Sequence, residues 1–164
     1  LYNRVVEKAT FNSGSLNGEA FANFKKNLKN DFIFKGYFLE KELVGFSTAF
    51  VFNNIVDANY VGIDYALNQQ YALYPRMMYD LVELAISRKA SELRMGRTAE
   101  EIKSSMGAEP VNMKLYIKHG NNITNKILKP IIQSITPGKF EFRKPFKHVQ
   151  HVPSGSKSPL HLIK

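Results

Sequence analysis

The chain has 164 residues, 44% of them apolar and 23% charged, a composition that suits one globular domain with a single core and excludes the polar, highly charged signature of disorder. With no cysteine there is neither a disulfide framework nor a thiolate zinc site, and His119, His148, His151 and His161 are too scattered for metal-ligand spacing, so no metal is expected. The net charge of +9 is uneven: residues 1–138 hold 17 Lys and Arg against 13 Asp and Glu, while residues 139–164 hold 6 against 1, a tail suited to solvent or to phosphate-rich partners such as RNA.

Leu1, Val5, Val6 and Ala9 recur at helical spacing, and Asn12-Ser13-Gly14-Ser15 supplies a stop. A chain that opens on a helix already under way, without Met, is expected to be the C-terminal part of a longer polypeptide. Asn17 is placed to cap a second helix, Gly18 to Leu28, with Ala20, Phe21, Phe24 and Leu28 on one face. From Phe32 the period changes. Phe32 to Leu39, a polar turn at Glu40-Lys41-Glu42 and the apolar run Leu43 to Phe52 predict a hairpin; Asn53-Asn54 then turns into a third strand, Ile55 to Tyr65, completing an antiparallel meander. Gly45 and Gly62 inside these strands mark a bulge or a close backbone approach, and a bulge near Gly62 would splay the sheet.

Pro75 suits the first turn of a helix, and Met77, Met78, Leu81, Val82, Ala85 and Ile86 follow at a 3.6-residue period as a core stripe. Ser91 to Met95 is a short strand, Ala99 to Met106 a short helix stopped by Gly107, and Val111 to His119 an alternating strand. Asn125 to Ile135 is a last helix and Phe140 to Phe146 a candidate edge strand. Residues 1–146 form the expected domain, and residues 147–164, with linker composition around Pro153 to Pro159, a basic flexible tail. No run approaches the roughly 18 to 20 apolar residues of a membrane span and no leader is recognisable, so a cytoplasmic protein is expected.

A meander followed by helix, strand, helix, strand resembles the GNAT acyltransferase fold, an α/β (α+β) architecture with a mostly antiparallel, mixed central sheet and helices on both faces. The closer likeness is to the two-domain GNAT-like proteins related to the Fem-type peptidoglycan aminoacyltransferases, and to the acetyltransferases grouped with them. It is carried by Leu73-Tyr74-Pro75-Arg76, by Met95-Gly96-Arg97-Thr98-Ala99-Glu100-Glu101-Ile102-Lys103 and by Gly107-Ala108-Glu109-Pro110, and covers about residues 15–146. The resemblance implies that the helix after the third strand turns its N-terminus toward the pyrophosphate of an acyl-CoA, where free N–H groups and the helix dipole favour an anion. The matching loop is Gln70-Tyr71-Ala72-Leu73-Tyr74-Pro75. Gln70 keeps a leading polar residue, but Leu73 and Pro75 stand where ordinary members have glycines, and Pro75 has no N–H to give. Lys103 occupies the place of the tyrosine that often acts as general acid. Such a domain is also expected to pack against an N-terminal partner domain.

Acyl transfer to an amine needs a base, donors for the tetrahedral oxyanion and an aligned acyl donor. Asp64, at the end of the third strand, is the candidate base or, structurally, a cap on the Tyr65 to Gln70 loop. Lys103 is a candidate catalytic or phosphate-holding residue, or a solvated helix lysine. Gln70, Tyr71, Ala72, Leu73, Tyr74 and Arg76 are the expected cofactor-binding segment, with Tyr74 lining an acceptor groove or merely packing. Arg97, Thr98 and His119 are candidate substrate or anion contacts, although Thr98 with Glu101 also fits a capping box and His119 an exposed strand end. Three functions stay open: an N-acyltransferase using acetyl-CoA or another acyl-CoA on a small amine or amino sugar; a Fem-like transferase drawing on aminoacyl-tRNA; and a non-catalytic half-domain acting as a packing or recognition module.

Overall fold

A computed structural model describes residues 1–9, 15–97, 99–113, 116, 118–133, 140–146 and 161–163. The chain begins with helices α1 (Tyr2–Lys8) and α2 (Gly18–Leu28). The second starts where Asn17 predicts it, the Asn17 side chain accepting the Ala20 N–H at 2.9 Å. Strands β1 (Phe32–Leu39), β2 (Glu42–Phe52) and β3 (Ile55–Ile63) follow as the antiparallel meander. Helices α3 (Tyr65–Tyr71) and α4 (Leu73–Ser87) lead to β4 (Glu92–Arg94), which pairs parallel to β3. Then come α5 (Glu100–Ser105), α6 (Asn122–Gln133) and β5 (His161–Ile163), giving a mixed sheet of order β1-β2-β3-β4-β5.

Adjacent residues of β2 show how the sheet is covered on both faces. Gly45 faces α4, where a Cβ would run into the Met77 side chain, whereas Phe46 meets Phe21 of α2 edge to face with ring centroids 5.5 Å apart. Successive side chains of a strand point to opposite faces, so α4 and α2 lie on opposite sides. The core on the α4 side is built from Ala49, Val56, Met77, Leu81, Ala85 and Leu93, all buried; the other side is an aromatic layer in which Phe24, Phe32 and Phe50 meet at 5.1 to 5.4 Å. Helix α1 lies on β3 near Gly62, where a Cβ would strike the Phe46 ring and come within 3.0 Å of Leu1 Cβ.

Four sequence expectations are corrected. The segment 65–70 is not a loop but most of helix α3, nucleated by Asp64 at its N-cap. The stripe of α4 buries Met77, Met78, Leu81 and Ala85 but leaves Ile86 exposed, although Pro75 does fall in the first turn of the helix as expected. Within the segment expected as a strand over 111–119, the described residues are not in a strand: Met113 and Tyr116 are 75% and 85% exposed, and β4 instead takes its second neighbour from His161–Ile163, in the segment expected as a tail. Residues 140–146 likewise form no strand.

Candidate functional site: a cleft where β3 and β4 part

Strands β3 and β4 are in register for only three pairs, Ile55 with Glu92, Val56 with Leu93 and Asp57 with Arg94. Two residues further along, β3 is irregular against its other neighbour, β2. Ser47 pairs with Val61 and Ala49 with Ala58, so Thr48 alone faces both Asn59 and Tyr60. This is a bulge, which bends a strand and increases its twist. Thr48 satisfies it: its Oγ accepts the Tyr60 N–H at 2.9 Å and donates to the Tyr60 carbonyl at 3.0 Å. Beyond the bulge, the end of β3 borders a cavity of about 530 Å³.

Val61 and Ile63 of β3 form the floor of that cavity, Tyr74 and Pro75 at the head of α4 form one wall, and Ile102 of α5 with Val5 of α1 close the others. The lining is apolar with a few convergent polar groups, Tyr65, Asn68, Gln69 and Tyr74, a composition typical of small-molecule sites. Burial, reinforced by the charge of Glu100 and by Tyr65, pushes the Tyr74 phenol up to about 12. It is therefore a hydrogen-bond donor at neutral pH. Tyr65 is also raised by burial, and Lys8 Nζ stands 3.8 Å from its ring centroid, a cation–π contact on the rim.

The head of α4 offers fewer amides than a helix start normally does. Pro75 has none, and Asn68 Oδ1 already accepts the Tyr74 N–H at 2.8 Å. Ala72 joins α3 to α4 in the left-handed conformation, φ 48° and ψ 43°. This sharp joint divides the expected cofactor-binding segment. Ala72 and Tyr74 line the cleft, whereas Tyr71, Leu73 and Arg76 line a different cavity on the β1 side, and Gln70 is exposed and lines neither.

Asp64 is committed as a cap. Its Oδ1 accepts the Ala66 N–H and its Oδ2 the Arg4 guanidinium, both at 3.0 Å; the backbone bond, then Arg4, holds its carboxyl below the ordinary carboxylate value, the opposite of what a general base requires. Lys103, expected on a solvated or ligand-facing surface, is only 3% exposed. It packs under the Gly96 turn, its Nζ 4.0 Å from where a Gly96 Cβ would stand, while its neighbour Ile102 is the one that faces the cleft. Arg97 is exposed on that same turn. Thr98, with the capping box expected of it, lies outside the described residues; the N-cap of α5 falls on Ala99. His119 is in a loop, where its Nδ1 accepts the Asn121 N–H at 3.0 Å and its backbone exchanges two 2.7 Å bonds with the Asn125 side chain. It belongs to the start of α6 and not to the cleft.

Asn68, Tyr65, Val5 and Ile102 went unnoticed in the sequence. Asn68 carried a weak signal, an amide one turn before a helix start; the others meet only through the fold. Among the described residues no three His, Asp or Glu come together as a metal site, and no helix is long and apolar enough to cross a membrane. Comparison with known protein families, with curated proteins and with solved structures finds no match.

Proposed function

We propose that this chain is an N-acyltransferase domain that accepts an acyl-CoA and transfers its acyl group to a small amine or amino sugar in the cleft beside the bent end of β3. The observation that carries the reading is a cavity of about 530 Å³ beside the bent end of β3, with the head of α4 on one wall and Ile102 of α5 on another. In the reaction the amine nitrogen adds to the thioester carbonyl to form the C–N bond and a tetrahedral oxyanion, which collapses with cleavage of the C–S bond, the amine proton passing to the departing thiolate or to solvent. Tyr74, kept in its O–H form, offers a hydrogen bond to the oxyanion.

One observation favours a second donor. With Pro75 and Asn68 removing two N–H groups from the head of α4, a pyrophosphate has little to grip there. An aminoacyl-tRNA, held through its backbone by a chain of net charge +9, needs no such grip. Titration calorimetry with acetyl-CoA, beside filter binding with charged tRNA over a salt series, separates the two. Saturable heat with acetyl-CoA supports the first donor, and salt-sensitive retention of tRNA without that heat supports the second. Failure of both ends the transferase reading.

A further inference from the structure

On the β1 side of α4 a second group of polar residues sits in the protein interior. Asp80 projects from α4 toward the sheet with its side chain 5% exposed, and two cavities, of about 290 and 340 Å³, meet at it. Its Oδ1 receives Arg76 Nε at 3.0 Å. Lys35 Nζ stands 3.1 Å from Oδ2 as an ion pair, without the alignment of a hydrogen bond. Both cations are on long, largely solvated side chains, 47% exposed for Lys35 and 67% for Arg76, so neither is locked in place. Two hydroxyls complete the group: Tyr37 Oη and Ser47 Oγ lie 3.3 Å apart, and Ser47 is buried. Burial, with the Asp80 carboxylate adding to it, pushes the Tyr37 phenol well above its ordinary value, so it stays a donor.

The charges are graded along the groove. The smaller cavity is bordered by Lys35, Asp80 and Glu83, a net charge of −1, and by the apolar Ile33, Leu81 and Leu84. The larger is bordered by Lys35, Asp80 and Arg76, a net charge of +1. A simple amine would suit only the first end and a simple anion only the second. We propose that this groove binds a free α-amino acid with an apolar side chain, its ammonium donating to Asp80 Oδ2 and its carboxylate held by Lys35 and Arg76. The side chain lies against Ile33, Leu81 and Leu84. The site is separate from the cleft beside the end of β3, from which the start of α4 divides it, so its test does not depend on acyl transfer.

The experiment is a titration of the ¹⁵N-labelled full chain with L-leucine, with 3-methylbutylamine and 4-methylpentanoate as the two half-ligands, followed by amide shifts. L-leucine is expected to give saturable shifts at Ser47, Thr48, Asp80 and Leu84, with each half-ligand at least about tenfold weaker because one charged end is unpaired. Asp80→Asn is expected to abolish the shifts. Should that variant fail to fold, Lys35→Met, at a half-exposed position, is expected to weaken L-leucine by about tenfold or more. Absence of saturable shifts, a half-ligand as strong as L-leucine, an unaffected Lys35→Met, or shifts centred on Val61 and Tyr74 would each overturn the proposal.

Discussion

Tyr74 shows how much one side chain owes to its surroundings. Its hydroxyl is buried in the cleft beside Glu100 and Tyr65, and its acid constant moves from 10.0 to about 12. Because the folded chain holds this proton more tightly than the unfolded chain, the associated stability is complete below pH 10 and is lost as pH rises through about 12. The loss is at most about 3 kcal/mol for a shift of this size. Ultraviolet titration should show a late-ionising phase, to which Tyr37 also contributes, that loses the amplitude of one tyrosine in Tyr74→Phe, with a shallower alkaline fall in unfolding free energy; a late phase of unchanged amplitude would mean that the Tyr74 hydroxyl faces water. At this scale the sequence was informative about chemistry and poor about direction. Tyr74 was legible as a cleft residue, but Leu73 and Arg76, three apart on another face of the same helix, turn with Tyr71 to the other cavity, and Ala72 joins the two helices in a left-handed conformation that nothing in an alanine side chain announces. Asp80 was hidden in the same way, falling inside a hydrophobic stripe in which only the fold reveals a buried charge.

At the scale of elements, the end of β3 that borders the cleft lies beyond a bulge, and Thr48 is what satisfies the bulge. Thr48→Val keeps the side-chain volume but removes both bonds to Tyr60 and leaves a backbone N–H without its acceptor. The expected cost is about 1–3 kcal/mol, read as a lower urea midpoint with an unchanged slope. A variant as stable as the parent would show that the bulge is held by other contacts. The meander, the Asn17-capped helix and the core helix were all legible, because each is written locally as a period or a cap. Helix α3 was not. Seven residues make two turns, too few for a period to declare itself, and the only sign was Asp64, whose capping role was noticed without the helix it caps. The alternation over 111–119 misled for the opposite reason, since a two-residue period says which face is apolar and not whether a sheet edge remains vacant.

For the molecule as a whole, α1 is tied across the end of β3 by the Arg4–Asp64 bond, a contact between residues sixty positions apart. Asp64 is held below its ordinary value of 3.8 chiefly by the Ala66 N–H and then by Arg4. A depressed carboxylate contributes stability above its unfolded-state value and loses it as pH falls through the lowered one. Thermal unfolding between about pH 5 and pH 2 should therefore decline less steeply in Asp64→Asn than in the parent; parallel declines would show that the tie carries no stability. The three-pair contact of β4 with β3 has a further effect on the order of assembly. The meander joins neighbours in sequence and closes through short turns, whereas β4 reaches β3 only after the intervening helices are in place, and such distant pairings are slow to form. The β3–β4 seam is therefore expected to form after the meander and to loosen before it in amide exchange.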